Sequence, residues 1–343
     1  MRTITAIIIL LAVNATQAQD FTYSQFYETP LMRNPALAGI FNGNIRIQSA
    51  YRNQWNSVTV PYETKSLSAE VTFPFEKTKD LLTIGLQVNS DIAGTSRLNR
   101  LQLLPVISFH KAFNDEVSYL TFATMGGLVQ SQFDFSKLQF NDQFINGQGP
   151  VGATNANFDK TNISYGDAST GLAFNSSMGD DHRYYVGVAC YHFLKSKVSF
   201  TDADNLLLKK RWVTNAGISL HTGDWDRTYI YGDFIMQGGH RQFLSGILYS
   251  HVLKSYVTYA DDAEDNVSLM AGAAYRWGDA FIPILKLEMK NFYVGASYDI
   301  NISKLKSASQ YRGGFEFSMA YISTLNSIMR RSVAESVGCP VRF

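Results

Sequence analysis

Ser66–Phe75 read SLSAEVTFPF. Successive side chains of an extended chain point to opposite faces. Leu67, Ala69, Val71, Phe73 and Phe75 therefore share one face, and Ser66, Ser68, Glu70, Thr72 and Pro74 share the other. The alternation predicts a β-strand with one apolar and one polar face. Two solvents are compatible with it. A soluble sandwich turns the apolar face inward, and a membrane barrel turns it outward to lipid.

The same alternation recurs along the chain. Strands are predicted at 44–52, 65–75, 81–90, 98–110, 116–131, 165–176, 183–194, 211–222, 226–237, 241–252, 268–277, 281–289, 291–300 and 311–322. Most are long enough for tilted membrane strands of about 9–11 residues, whereas soluble strands usually have about 5–6. Leu82, Ile84, Leu86 and Val88 align, as do Phe292, Val294, Ala296, Tyr298 and Ile300. Phe281, Leu285, Leu287 and Met289 oppose Lys286 and Glu288. Tyr311, Phe315, Phe317, Met319 and Tyr321 oppose Arg312, Glu316 and Ser318. Connections after even strands are mostly short and those after odd strands mostly longer, as periplasmic turns and external loops would be. The second half breaks that rule: the connections between strands 9 and 10 and between strands 11 and 12 are short, and 253–267 on the even side is long. The pattern favours an all-β transmembrane antiparallel β-barrel of about 14 strands, and a soluble double sandwich is the competing architecture.

Bulk composition agrees. Charged residues are 17% of the 343, against roughly 25% in soluble domains. A net charge of +1 gives no basic surface for nucleic acid. Arg2, the apolar run Ile4–Val13 and the sequence ATQA ending at Ala18 read as a signal peptide over 1–18. The apolar run is too short for a bilayer, which takes about 20 residues. Export makes an oxidising compartment available to Cys190 and Cys339, although Cys190, within YYVGVACYHF, also reads as a small packing residue.

Little in the chain suggests bond chemistry. The six histidines are scattered, without an HExxH pair or a zinc-like cysteine spacing. GQGPVG at 147–152 matches a nucleotide-loop pattern, but no strand precedes it and no helix follows it. Asp261, Asp262, Glu264 and Asp265 offer oxygen ligands for a hard cation but lack EF-hand spacing, and Asp202 and Asp204 read likewise as a solvated loop. Lys209, Lys210 and Arg211 fit a strand edge or a headgroup contact. No catalytic, cofactor or metal residue is assigned, and the chain reads as a non-enzyme.

The N-terminal region carries a resemblance. QDFTYSQFYETPLMRNPALAG is followed by RIQSAYRNQWNSVTVPYETKSLSAEV. Ser24, Gln25 and Phe26, then Asn34, Pro35, Ala36, Ala38 and Gly39, then Arg52, Gln54 and Trp55 are similar to the opening motifs of the PorP/SprF family of type IX secretion outer-membrane proteins of Bacteroidota. SDIAG, FSKLQFNDQF, YRWGDAFIPIL, ASYDINISKL and YRGGFEFSMAYI follow in the family's order. The closing CPVRF resembles the family's Cys-Pro-Arg-Phe end at Cys339, Pro340 and Phe343, with Val341 as an addition. The resemblance implies an outer-membrane barrel that supports secretion or surface anchoring of large cargo. That cargo is notably adhesins with a type B C-terminal sorting domain, exported for gliding in some species. It also implies a periplasmic peptidoglycan-associated lipoprotein and type IX core components as partners, with membrane lipid or lipopolysaccharide around the barrel.

The expected organisation is a signal peptide (1–18), an N-terminal plug or periplasmic segment (19–43), the barrel (44–322) and a C-terminal periplasmic tail (323–343). Within 19–42 the composition is rich in Pro, Asn and Gly and does not alternate. Asn34-Pro35 favours a turn and Gly39 suits a left-handed conformation. Ser24, Gln25, Asn34, Pro35, Gly39, Arg52, Trp55, Cys339, Pro340 and Phe343 are the candidate motif or partner-contact residues. Arg330 and Arg331 suit an acidic partner or headgroups. External loops 53–64, 132–164, 195–210 and 301–310 are the expected cargo surfaces. A transporter of the long-chain fatty-acid type, also 14-stranded with an N-terminal plug, is the alternative. A barrel that only tethers membrane to cell wall is a further one.

Overall fold

The computed structural model describes residues 20–324 apart from 57–59, 76, 114–117, 145–153, 157, 180–181, 202–205, 258–263 and 305. Cys339, Pro340, Phe343, the leader 1–18 and most of the tail lie outside the described residues, as do Asp202, Asp204 and the GQGPVG stretch. Fourteen antiparallel strands form one closed barrel in which each strand pairs with its sequence neighbours. They are β1 (Ile45–Gln54), β2 (Tyr62–Pro74), β3 (Leu81–Ala93), β4 (Leu98–Phe113), β5 (Ser118–Gln132), β6 (Asn162–Met178) and β7 (His182–Tyr191). The second half comprises β8 (Arg211–Gly223), β9 (Asp226–Gln237), β10 (His240–Val257), β11 (Glu264–Arg276), β12 (Ala280–Met289), β13 (Phe292–Asn301) and β14 (Arg312–Ser323). β1 closes on β14 from Ile45↔Ser323 to Gln54↔Gly314.

SLSAEVTFPF lies in β2 and the turn after it, with the apolar side outward. Leu67 is 49% exposed and Phe73 39%, while Ser66, Ser68, Glu70 and Thr72 are buried. A protein in water would have the reverse arrangement. The same inversion holds in β3, where Ile84 and Leu86 face out and Thr83 and Gln87 face in, and in β14, where Phe315, Phe317 and Met319 face out and Glu316 and Ser318 face in. No helix among the described residues is long and apolar enough to cross a membrane. Closure leaves no unpaired strand edge, which is what a hydrocarbon surround demands of a sheet.

Connections from even to odd strands gather at the end that carries both barrel termini. They are tight: Asp224 and Trp225 join β8 to β9, and Lys290 and Asn291 join β12 to β13. The longest connections, 133–161 and 192–210, lie at the opposite, far end. The long stretch expected at 253–267 is shorter than the sequence suggests. A register shift between Val252 and Lys254 lets β10 and β11 continue pairing to Val257↔Glu264, and Asp261 and Asp262 lie outside the described residues. Glu264 and Asp265 therefore sit in a strand, not in an acidic loop. β7 ends at Tyr191, earlier than the alternation predicts, because His192 takes a left-handed conformation with φ 57°.

Residues 20–44 run through the barrel lengthwise. Asp20 meets Arg100, Arg211 and Gln237, all at the far ends of their strands. The carbonyl of Asn44, at the other end, accepts the Thr72 N–H at 2.8 Å, and its own N–H reaches Ser323 at 2.9 Å. Between them the segment makes single helical turns at Phe26–Glu28, Pro30–Arg33 and Pro35–Leu37. Phe26, Tyr27 and Leu31 pack with inward residues of the wall, including Tyr231, Leu244, Leu248, Met270 and Ile284. In β9 and β12 the inward face is therefore part apolar: Ile230 and Phe281 face out, while Tyr231 and Ile282 are buried inside beside the inward charges Asp233 and Lys286.

Leu67→Arg places a cation on the outward face at mid-height of β2, which should lower stability in bilayers by about 2–4 kcal/mol. Urea unfolding in lipid vesicles measures this, and an unchanged midpoint would contradict the outward assignment.

Candidate functional site: the occupied lumen

The inner segment is held by charges from both sides. Arg33 forms a two-pronged pair with Asp233, its Nε to Oδ2 at 2.8 Å and its Nη2 to Oδ1 at 2.6 Å, and Nη2 also donates to the Tyr185 hydroxyl at 2.7 Å. Its guanidinium lies 5.0 Å from the Phe26 ring centre. Glu28 accepts from Lys286 at 2.5 Å and from Gln48 Nε2 at 2.8 Å. These side chains are nearly fully buried, where an unpaired charge is very costly and a two-pronged pair is among the strongest contacts available.

Wall residues also pair with each other and use their remaining capacity on the segment's backbone. Glu316 accepts the N–H groups of Ser24 at 2.6 Å and Gln25 at 2.7 Å, and its Oε1 lies 2.9 Å from Arg52 Nε. Arg52 also donates to Asp299 at 3.0 Å and to the Thr22 carbonyl. Arg276 bridges Asp299 at 2.6 Å and the Ser24 hydroxyl. Lower in the lumen, Glu70 pairs with Arg46 at 2.8 Å and accepts the Gly39 N–H at 2.9 Å. A Cβ on Gly39 would lie 2.0 Å from the Thr83 hydroxyl, and its φ is +76°, so both space and conformation require glycine here.

Asn34 shows how the local sequence sets its own site. The residue before a proline is pushed toward extended backbone, and Asn34 has φ −162° and ψ 122°. Pro35 opens the next turn, and the Asn34 Oδ1 caps it by accepting the Ala36 N–H at 2.9 Å. The amide then donates to the Leu172 carbonyl at 3.1 Å and to Asn215 at 3.3 Å. It fits because Gly171 and Gly187 lie opposite: a Cβ on either would fall 1.9 Å or 2.6 Å from the Asn34 amide.

At the far mouth His192 sits between two carboxylates, Nδ1 2.7 Å from Asp167 and Nε2 against Asp20. Both ring nitrogens thus donate, which requires the imidazolium. Burial disfavours that charge, but the carboxylates outweigh it and hold the His192 pKa up at about 9. Burial would likewise raise Asp20, yet His192, Arg100 and Arg211 keep its carboxyl well below the usual range.

Of the sequence-predicted residues, Ser24, Gln25, Asn34, Pro35 and Gly39 all lie on the inner segment, and Arg52 faces Ser24 and Gln25 from the wall. Trp55 stands apart at the far rim, where its N–H donates to the Gly313 carbonyl at 3.1 Å. Arg211 turns inward to Asp20, not toward headgroups. Cys190 is buried near the end of β7. Sequence reasoning did not single out Glu70, Asp233, Asp299 or Arg276 as part of the site. Their signal was a charge on the polar phase of a lipid-facing strand.

Two pockets beside the inner segment are small. One near Asp20 and His192 holds about 30 Å³ and one near Tyr27 and Tyr231 about 10 Å³. A water needs about 10–15 Å³ of such space.

A closed, plugged barrel with an apolar exterior defines an outer-membrane-type β-barrel protein. A family description, type IX secretion system membrane protein PorP/SprF, matches residues 15–321, and the chain belongs to that family. No curated protein matches the chain by sequence. Among solved structures it is similar to a FadL homologue from Pseudomonas aeruginosa, with 8% identity, TM-score 0.50, and 86% of this chain and 94% of that one covered. It is also similar to the toluene transporter TodX from Pseudomonas putida, with 10% identity, TM-score 0.48, and 85% and 92% covered. At 8% identity the likeness to the FadL homologue speaks for the barrel fold alone.

Two outcomes follow. Arg33→Met leaves Asp233 buried without its partner and should cost roughly 3–5 kcal/mol. Pairing it with Asp233→Leu should recover much of this in urea unfolding, and additive losses would contradict a direct pair. The His192 contribution is fully present below its unfolded pKa of about 6.5 and is lost as pH rises through about 9. A spin label on Phe21→Cys should therefore be immobile at neutral pH and gain mobility through that range, while adding His192→Gln should leave it mobile throughout.

Proposed function

We propose that this protein is an outer-membrane component of the type IX secretion system that binds a large secreted protein and supports its export or surface anchoring, without bond chemistry. The observation that carries the reading is the lumen, filled from mouth to mouth by the chain's own residues 20–44. Cargo then engages the faces of the barrel and does not pass through it. The end with tight turns is periplasmic and the end with long connections external, following the usual asymmetry of such barrels. The connections from β1 to β2, β5 to β6, β7 to β8 and β13 to β14 supply the external surface. Adhesins with a type B C-terminal sorting domain are the cargo the family suggests, and a periplasmic lipoprotein with type IX core components is the proposed coupling on the other side.

A fatty-acid-type transporter is the second reading, favoured by the fold likeness and the N-terminal plug. Pockets of one or two waters beside that plug fit it less well.

Deletion of the gene should leave type B cargo inside the cell, and re-expression should restore it to the surface. Replacing 133–144 by a short Gly/Ser turn should reduce export while the barrel still reaches the membrane. Normal surface cargo in the deletion strain would overturn the proposal. Loss of hydrophobic-substrate uptake with normal cargo would establish the transporter instead.

A further inference from the structure

β13, β14 and the end of β1 leave a hollow of about 510 Å³ at the far rim, lined by Tyr51, Asn53, Asn56, Tyr298, Arg312 and Phe315. It opens on the outer side of the wall. Tyr298 is 41% and Phe315 45% exposed, whereas the alternating Ser297, Asp299 and Glu316 are buried inside.

The hollow is built by the strand ladder. Asp299 pairs with Gly314 and Ile300 with Arg312, so Gly313 is an extra residue on β14. An extra residue bends its strand and interrupts pairing, and such bulges concentrate at barrel rims and beside functional sites. Gly313 has no side chain to fill the space, and a Cβ there would lie 2.6 Å from the Asp299 carbonyl oxygen. The bulge is tied down by Trp55, whose φ of 63° aims its N–H at the Gly313 carbonyl.

The lining combines ring faces and side-chain amides with one cation, Arg312. Arg312 is exposed and has no ion-pair partner among the described residues. Lys65, on β2 and outside the lining, flanks the hollow over the Tyr51 ring at 5.9 Å and is 56% exposed. Glu63 is the opposing charge nearby, 3.4 Å from Lys65. Aromatic faces pack against sugar rings and acyl roots, amides hydrogen-bond hydroxyls, and a guanidinium matches phosphate with two parallel donors.

On the proposed orientation this rim lies in the outer leaflet, where the headgroups of a Gram-negative outer membrane are phosphorylated sugars. We infer that the hollow seats the phosphorylated sugar headgroup of an outer-leaflet glycolipid, with Arg312 and Lys65 on phosphate and Tyr51 and Tyr298 against the sugar. The inference rests on the outer-membrane reading with the far end outward. It gives the protein a lipid contact fixed at the β1–β14 seam, beside the external loops.

The test uses full-length protein extracted from outer membranes in mild detergent, with phosphorylated glycolipid per barrel counted by native mass spectrometry. The Arg312→Ala, Lys65→Ala double variant should retain about tenfold less, as loss of charge-assisted contacts predicts. Arg97→Ala with Lys137→Ala, at another hollow of the same rim, should retain the wild-type amount. An unchanged thermal midpoint shows that the barrel still folds, and Arg312→Gln serves where the alanine variant does not. Equal glycolipid in double variant and wild type overturns the inference. So does complete displacement by inorganic phosphate, or equal retention of phosphatidylglycerol from vesicles, since either removes the need for a sugar headgroup. Absence of the protein from the outer-membrane fraction overturns the membrane placement itself, a separate result from a correctly placed barrel that binds no glycolipid.

Discussion

Pairing β1 with β14 is the constraint on which everything else depends. In hydrocarbon a strand edge has no water to bond, and each unsatisfied backbone group costs several kcal/mol. The sheet must therefore close. Once closed, it has an outside that must be apolar and an inside that need not be. Glu70, Asp233, Asp299 and Glu316 are thereby placed in the lumen, shielded from lipid by the wall that carries them.

Charges in a narrow lumen need partners, and the inner segment supplies them. Arg33 answers Asp233, Glu28 answers Lys286, and Asp20 answers Arg100 and His192. Where the wall has already paired its own charges, as in Arg52–Glu316 and Arg46–Glu70, the leftover oxygens take backbone N–H groups of Ser24, Gln25 and Gly39. Segment and wall are complementary along their length. Removing either would strand buried charge in the other, which explains why the filling is polar at so many heights though an apolar cluster surrounds Leu31.

This arrangement bears on what the protein does. A barrel filled by its own chain offers two faces and a rim more than a passage. The far end carries the long connections after β5 and β7. The rim is shaped by the Gly313 bulge and by Trp55, so Trp55, which stands apart from the lumen, still has a structural task.

The alternation in SLSAEVTFPF and its counterparts was enough to place the strands, because a side-chain period of two is imprinted on every lipid-facing strand. Charged residues in mid-strand likewise announced an interior polar enough to hold them. Asn34-Pro35 and Gly39 foretold turns through purely local backbone preferences. The partners were not legible. Arg33 meets Asp233 across two hundred residues, and no local pattern encodes which strand a charge on the inner segment will face. The role of the inward apolar residues Tyr231 and Ile282 of β9 and β12 was equally hidden, since it depends on Tyr27 and Leu31 packing at their height. Sequence by itself determined the strands, their faces and the turns of the N-terminal segment, because each follows from neighbours along the chain. Only the tertiary structure decided that this segment fills the lumen and which charges meet there, because those contacts exist only once the barrel has closed around it.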